Sequence, residues 1–424
     1  MPTKVYVAIS STNRTGDAVS DDAGQTYAAT FARLTLAIAD GTYGARDISS
    51  TTGGDETQYY DVFNSYTETA ALTTNGFTMI DNWVRIRAAP NYEHDGIPGS
   101  GLKITNNRSY ESKFGFYRNT FVFGLEFETG GAGNTSVGRT FYMTDGAIAL
   151  CCISRNTTTS GRSFSADDNS STSPSYFIAC LAFGSTLGFY TDNYSLINCL
   201  NCTAIDMTGH GFFTATVGSG TSVVRNCLSL GNSPDFAGTR LTASSGNNAS
   251  SDGTAFGSSP TVNLTSSDEI ENLAGWNAHL KAGNSISSSG ADLVASGDMA
   301  TANNKDIDGQ PFTGWPIGCD QPGAFTVPFK ITAYDASTLV IIQGVEIYAK
   351  ALAGGALAVD AEISVGTTDA SGELETTPTF SGVQSMVIQG RKASETPFYN
   401  EGKTIGILTG DGYEGAVYMV SDEE

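Results

Sequence analysis

Apolar positions in the middle of the chain come in short runs that recur. IALCCISRNT (148–157), YFIACLAFGS (176–185), INCLNCTAID (197–206) and VVRNCLSLGN (223–232) each end an apolar run at Cys or Asn-Cys and pass into a polar turn. Taking Cys152, Cys180, Cys202 and Cys227 as equivalents, the steps are 28, 22 and 25 residues. Phe116, Phe141, Phe164, Phe189, Phe212 and Phe236 form a second ladder, with steps of 25, 23, 25, 23 and 24. Two ladders sharing a period near 24, with Gly, Asn and Ser at the corners, predict a β-solenoid. One coil cannot bury its apolar face alone, so it stacks on its neighbours, and small Cys and Asn and large Phe line up one strand spacing apart. The L-x-x-L-x-L pattern of a leucine-rich repeat, the competitor at this period, is absent.

The pattern changes on either side of these coils. QTYAATFARLTLAIADGTYG (25–44) resembles the short amphipathic helix that caps the N-terminus of parallel β-helix proteins, with Ala29, Phe31, Leu34, Leu36 and Ile38 as its buried face. Residues 237–300 are rich in Ser, Gly and Asn and read as irregular last coils with long loops. Within them SSDEIENLAGWNAHLKA (266–282) predicts a helix, with Ser266 or Ser267 as N-cap and Asp268 and Glu269 in the first turn. Beyond residue 323, apolar–polar alternation in short runs (FTVPFKITAY, STLVIIQGVEIYAKA, AVDAEISVGTT) predicts a β-sandwich of about 100 residues. The division is therefore 1–323 and 324–424.

Composition narrows the function classes. The 424 residues carry 22 Lys+Arg against 44 Asp+Glu, a formal net charge of −22. That field repels phosphate, so no nucleic-acid partner is expected. No apolar run approaches the length that crosses a bilayer, so no membrane partner is expected either. MPTKVYVAISSTNRTGD at the start does not read as a signal peptide. Seven cysteines, an odd number set in apolar runs, read as buried, reduced thiols of a protein made in a cytoplasm. Cys199-x-x-Cys202 has no second pair or His at a zinc-like spacing, so no metal or cofactor is assigned.

With these patterns in hand, TMIDNWVRIRAAPNYEHDGIPGSGLKI (78–104) resembles the opening coils of right-handed parallel β-helix proteins of the pectate-lyase-like superfold. DIDGQPFTGWPIGCDQPG (306–323) is similar to the closing motif of many such chains. IIQGVEIYA and VGTTDASGELE resemble transthyretin-like or Ig-like domains, in which a T-D-x-x-G hairpin (here Thr368, Asp369 and Gly372) makes a structural turn. The expected fold is all-β: a right-handed parallel β-helix followed by a small Ig-like β-sandwich.

Candidate chemistry is sparse. Asp168 and Asp192 lie one coil apart, which suits the carboxylate spacing of a retaining glycosidase. Asp167, Asp206 and Asp235 also fall at corners, where Asp ordinarily makes Asx turns. A lyase needs a basic proton acceptor, but residues 120–235 hold only Arg139, Arg155, Arg162 and Arg225. No catalytic residue is assigned. His210 lies beside the Phe ladder within a coil of Asp192, and Tyr190 and Tyr194 sit among polar residues. Exposed Tyr with Asp and His suits a glycan or protein surface, so Tyr190, Tyr194, Asp192 and His210 are the expected contact residues.

The combination resembles bacteriophage virion proteins. What it implies is a capsid decoration or head-fibre protein on the virion surface, made in the host cytoplasm. Its partners would be the major capsid protein or other virion proteins, its own copies in a trimer, and a host surface polysaccharide. The alternative on the same fold is a polysaccharide lyase or glycoside hydrolase, a tail-spike depolymerase.

Overall fold

Parallel pairing of strands about one coil apart in sequence builds most of the chain. The structure is a computed structural model. In its first part it describes residues 2–321 except 23, 50–55, 80–81, 91, 95, 107–113, 131–137, 145, 158–160, 167–172, 192–194, 215–220, 240, 243, 273–275, 282–283 and 313. Beyond that it describes residues 324–421 except 327–328, 337, 352–361, 377–378, 382–383, 393–398 and 409–412. The chain divides into two compact units, Met1–Gln321 and Pro322–Glu424.

Among the described residues, the first unit contains parallel sheets of nine, eight and seven strands, which together form a parallel β-solenoid of about seven turns. A representative coil runs through Ile148–Leu150, Ile153–Asn156 and Arg162–Ala166, one strand in each sheet, before Ser175–Ile178 begins the next. The first corner of successive coils is a two-residue device. Its leading residue is left-handed: Gly124, Cys151, Ala179, Asn201 and Asn226 have φ of 67°, 50°, 48°, 50° and 54°. A single left-handed residue turns the chain sharply between two extended segments, and Asn tolerates it better than most side chains. The next residue points inward and is small or apolar: Leu125, Cys152, Cys180, Cys202 and Cys227, all fully buried. Each of these cysteines sits with Sγ 3.2–3.6 Å from two backbone carbonyls, so the thiol fills the corner and donates weakly into it. The equivalence inferred from sequence spacing is therefore a structural column.

The phenylalanine ladder fills the lumen, with one displacement at its start. Phe141, Phe164, Phe189, Phe212 and Phe236 pair in register from coil to coil. The rings of the last four are separated by 4.9, 4.8 and 4.9 Å at interplanar angles of 6°, 7° and 8°, so they stack at the strand spacing. Below Phe141, however, the register partner is Phe114; Phe116 pairs with Met143. Phe114 and Phe116 share the inward face of one strand, and the Phe116 ring leans to 4.6 Å from Phe141. Spacing alone could not separate them. Phe127 and Phe177, from the other strands, pack edge-on or tilted against this column.

All seven cysteines are free and buried. Burial pushes their thiols up wherever a shift is resolved, Cys199 to about 11, where a hydrogen bond with Cys202 opposes the shift and charge on Cys227 and Cys180 adds to it. We expect no cysteine to react with a thiol reagent in native buffer and all seven to react in denaturant. Rapid native labelling of several sites would show that the cysteine column is open.

Two expected helices are shorter than their sequences suggested. Over 25–44 the chain makes a short strand, Ala29–Phe31, and a helix of only five residues, Leu34–Ile38. Leu34 and Ala37 are buried, whereas Leu36 is 48% exposed. Over 266–282 one turn of helix, Ser266–Glu269, with Thr265 as its N-cap, gives way to an antiparallel hairpin of Ile270–Asn272 with Asn277–Leu280. Ile270, Ala278 and Leu280 are buried against apolar residues of the solenoid, and this packing overrides helix propensity.

The coils do continue irregularly, with Ala249–Ser250 in the eight-stranded sheet and parallel bridges of Gly246 with Ser258 and Ala249 with Thr261, but the segment from about residue 285 is a strap. It covers the outer face of the second sheet, burying Ile286, Leu293, Met299, Ile307, Phe312 and Ile317 against residues such as Ile153, Leu181, Ile205 and Leu228. Ala291 exchanges hydrogen bonds with the Asn226 side chain, and Asn201 Nδ2 donates to the carbonyls of Pro316 and Gly318. Asp306, beside the same strap, offers its carbonyl to Cys151 Sγ. The corner asparagines thus turn the solenoid and anchor its cover.

In the second unit, among the described residues, the strands form a two-stranded and a seven-stranded sheet. The pairs are antiparallel except Phe329–Asp335 with Tyr413–Ser421, which is parallel. The expected hairpin is present. Asp369 Oδ1 accepts from Ser371 N and Oγ and from Glu373 N. Gly372 follows at φ 68°, where an added Cβ would strike Ile341.

Candidate functional site

The third sheet carries an outward row of rings. Tyr142, Ser165, Tyr190, Phe213 and Ala237 occupy one column of register partners. Residues next to inward-facing Phe189 and Phe212 must face outward, because side chains alternate along a strand. Tyr190 and Phe213 stack at 5.2 Å and 10°, and the His210 ring lies 5.4 Å from Phe213 at 25°. The Arg162 guanidinium sits 3.7 Å from the Tyr190 ring centroid, and Arg139 covers Tyr142 at 5.3 Å. Tyr142, Tyr190, His210 and Phe213 are half-buried, so each group keeps part of its surface towards solvent. Among the described residues, His210 Nδ1 has no hydrogen-bond partner. Such a strip offers the partly exposed parts of stacked rings flanked by cations, which suits packing against a glycan or a protein.

Of the four expected contact residues, Tyr190 and His210 are brought together through Phe213. Asp192 and Tyr194 lie outside the described residues, as do Asp167 and Asp168. Phe213 and Arg162 were missed, although the coil period carried the signal: Phe213 follows Tyr190 by 23 residues and Arg162 follows Arg139 by 23. Tyr59 and Tyr60 are strand residues of Glu56–Val62. Tyr60 is buried and donates its hydroxyl to the Tyr43 carbonyl.

The remaining corner acids have structural partners. Asp206 is a left-handed corner residue (φ 56°) that accepts Trp276 Nε1 at 3.4 Å. Asp235 is fully buried and accepts from Ser229, Asn232 and Ser251 at 2.7–3.0 Å, tying two coils together. Burial pushes its carboxyl up, opposed by those donors. Asp61, buried among Arg87 and Tyr27, is likewise raised by burial despite the guanidinium.

A polar group that the sequence reading did not assemble is brought together by the strap: His279, Asp308 and Asp320. Burial raises the Asp320 carboxyl to about 7, His279 acting against the shift and the charge of Asp308 adding to it. These residues come from separate, non-repeating segments, so no period announces them.

No family model matches the sequence, and no curated protein matches it significantly. Among solved structures, a double mutant of the shaft pilin SpaA from Lactobacillus rhamnosus GG is similar over 27% of this chain at 11% identity, with a TM-score of 0.18. The match spans about half (52%) of that pilin chain. Among the described residues, no helix is long and apolar enough to cross a membrane.

Proposed function

We propose that the chain is a structural and adhesive protein of a tailed-phage virion, a capsid decoration or head-fibre protein, with an Ig-like second unit. The observation that carries this reading is the outer strip of Tyr142, Arg162, Tyr190, His210 and Phe213 on a wall whose core is a continuous ring stack. A solenoid held by backbone ladders and a packed lumen is stiff, and a rigid surface loses little entropy when it docks. Stacked rings under guanidinium groups supply the anchors such a surface needs, for a virion neighbour or a host glycan.

Solution mass by light scattering, paired with incubation on host surface polysaccharide, tests the proposal. We expect three chain masses per particle and polysaccharide recovered uncut. Release of reducing or unsaturated ends would replace the proposal with a depolymerase, whose acids would then be sought at Asp168 and Asp192.

A further inference from the structure

We propose that His279, Asp308 and Asp320 form a binding site for a divalent transition-metal cation, of the zinc type, that clips the strap closed over the second sheet. The three residues each place one donor atom within 4.8 Å of the other two. His279 comes from the strand Asn277–Leu280, Asp308 from the turn that Gly309 N closes on the Asp306 carbonyl, and Asp320 from the strap's end. Three otherwise separate pieces of the cover therefore meet at one point.

The donor set has the marks of a prepared site. His279 Nδ1 lies 2.5 Å from Asn277 Oδ1, an acceptor, so Nδ1 carries a proton and Nε2 is the nitrogen a cation would take, displacing the proton it shares with Asp308 in the metal-free chain. Metal-binding imidazoles are held in this way, with the distal N–H fixed by an oxygen. Nε2 faces both oxygens of Asp308 at 3.1 Å. Asp320 is 2% exposed; its Oδ2 accepts Leu280 N at 2.6 Å, while its Oδ1 is buried with no hydrogen-bond partner. An unsatisfied, buried carboxylate oxygen is costly, and a cation satisfies it.

Gly96 closes one side. An added Cβ there would lie 2.6 Å from Asp308 Oδ1 and 2.9 Å from His279 Nε2, so the backbone approaches where no larger residue fits. One imidazole and two carboxylates match zinc or manganese; calcium, which takes oxygen ligands in larger number, fits poorly.

The test uses the full chain, stripped with chelator and dialysed against Zn²⁺ or Ca²⁺, with bound metal counted and melting followed. We expect one Zn²⁺ per chain and a higher melting temperature with Zn²⁺ but not with Ca²⁺. Asp320→Asn and His279→Gln should each weaken Zn²⁺ binding by about tenfold or more. Because Asp320→Asn disturbs a buried position, Co²⁺ absorption of the native chain and of His279→Gln gives a second reading. Ligand-field bands should appear in the former and vanish in the latter. Equal stabilisation by Ca²⁺, equal Zn²⁺ binding in His279→Gln, or no Zn²⁺ bound at all would overturn the assignment.

Discussion

Phe212→Asp should abolish cooperative folding of the solenoid, or lower its stability by about 5 kcal/mol or more. Phe212 is fully buried, with its ring 4.8 Å from Phe189 and 4.9 Å from Phe236. Removing a buried Phe costs about 3–5 kcal/mol through lost transfer and cavity terms, and an unpaired carboxylate in the lumen adds to that. Against a total of about 5–15 kcal/mol for a typical domain, this is decisive. Phe212→Leu, which keeps an apolar side chain but interrupts the stack, should cost about 1–3 kcal/mol and remain folded. Urea unfolding followed by circular dichroism gives both values. A Phe212→Asp chain that unfolds with the native midpoint would mean the ring stack does not support the coils.

Arg87→Met is expected to cost about 3–5 kcal/mol at pH 8. Asp61 is fully buried; it accepts Arg87 Nε at 2.7 Å and Nη2 at 3.1 Å, and the Tyr27 hydroxyl at 2.8 Å. Arg87 also reaches Asp21 through both terminal nitrogens. Removing the guanidinium strands a charge inside the first coils. Burial already raises the Asp61 carboxyl, and loss of Arg87 raises it further. A raised folded-state pKa means stability present at low pH and lost as pH rises through that value. The penalty of Arg87→Met should therefore be largest at pH 8 and shrink as the pH falls and Asp61 takes up a proton. Arg87→Met with Asp61→Leu should recover most of the loss, since an apolar pair of similar volume removes the stranded charge. A penalty independent of pH would show that the pair acts through packing alone.

The solenoid was legible because parallel stacking in register brings the same residue type back at each coil, as at Cys152–Cys227 and Phe141–Phe236. Where two Phe occupy one inward strand face, as at Phe114 and Phe116, spacing could not assign the partner. Sequences such as IALCCI and YFIACLAF are apolar on both strand faces, a sign of strands covered on both sides. What covers them was not legible, since the strap is irregular and gains its order from contacts with corner residues such as Asn201 and Asn226. The short helices failed for the same reason: Ile270 and Leu280 bury on the sheet as a hairpin. At the outer strip, Tyr190 and His210 were singled out as expected contacts from their chemistry, whereas their neighbours Phe213 and Arg162 needed the coil register. His279, Asp308 and Asp320 meet only through the path of the strap, and no one-dimensional pattern carries that.

The most direct test of the proposed role is pelleting of the purified chain with assembled phage capsids, comparing the native sequence with a Tyr190→Ser, Phe213→Ser variant. Both substitutions sit on the outer face, so the variant should fold and melt like the native chain. The account predicts that the native chain pellets with capsids in a saturable manner and that the variant stays in the supernatant. A native chain that remains in solution at every capsid concentration, or a variant that pellets equally well, would contradict it.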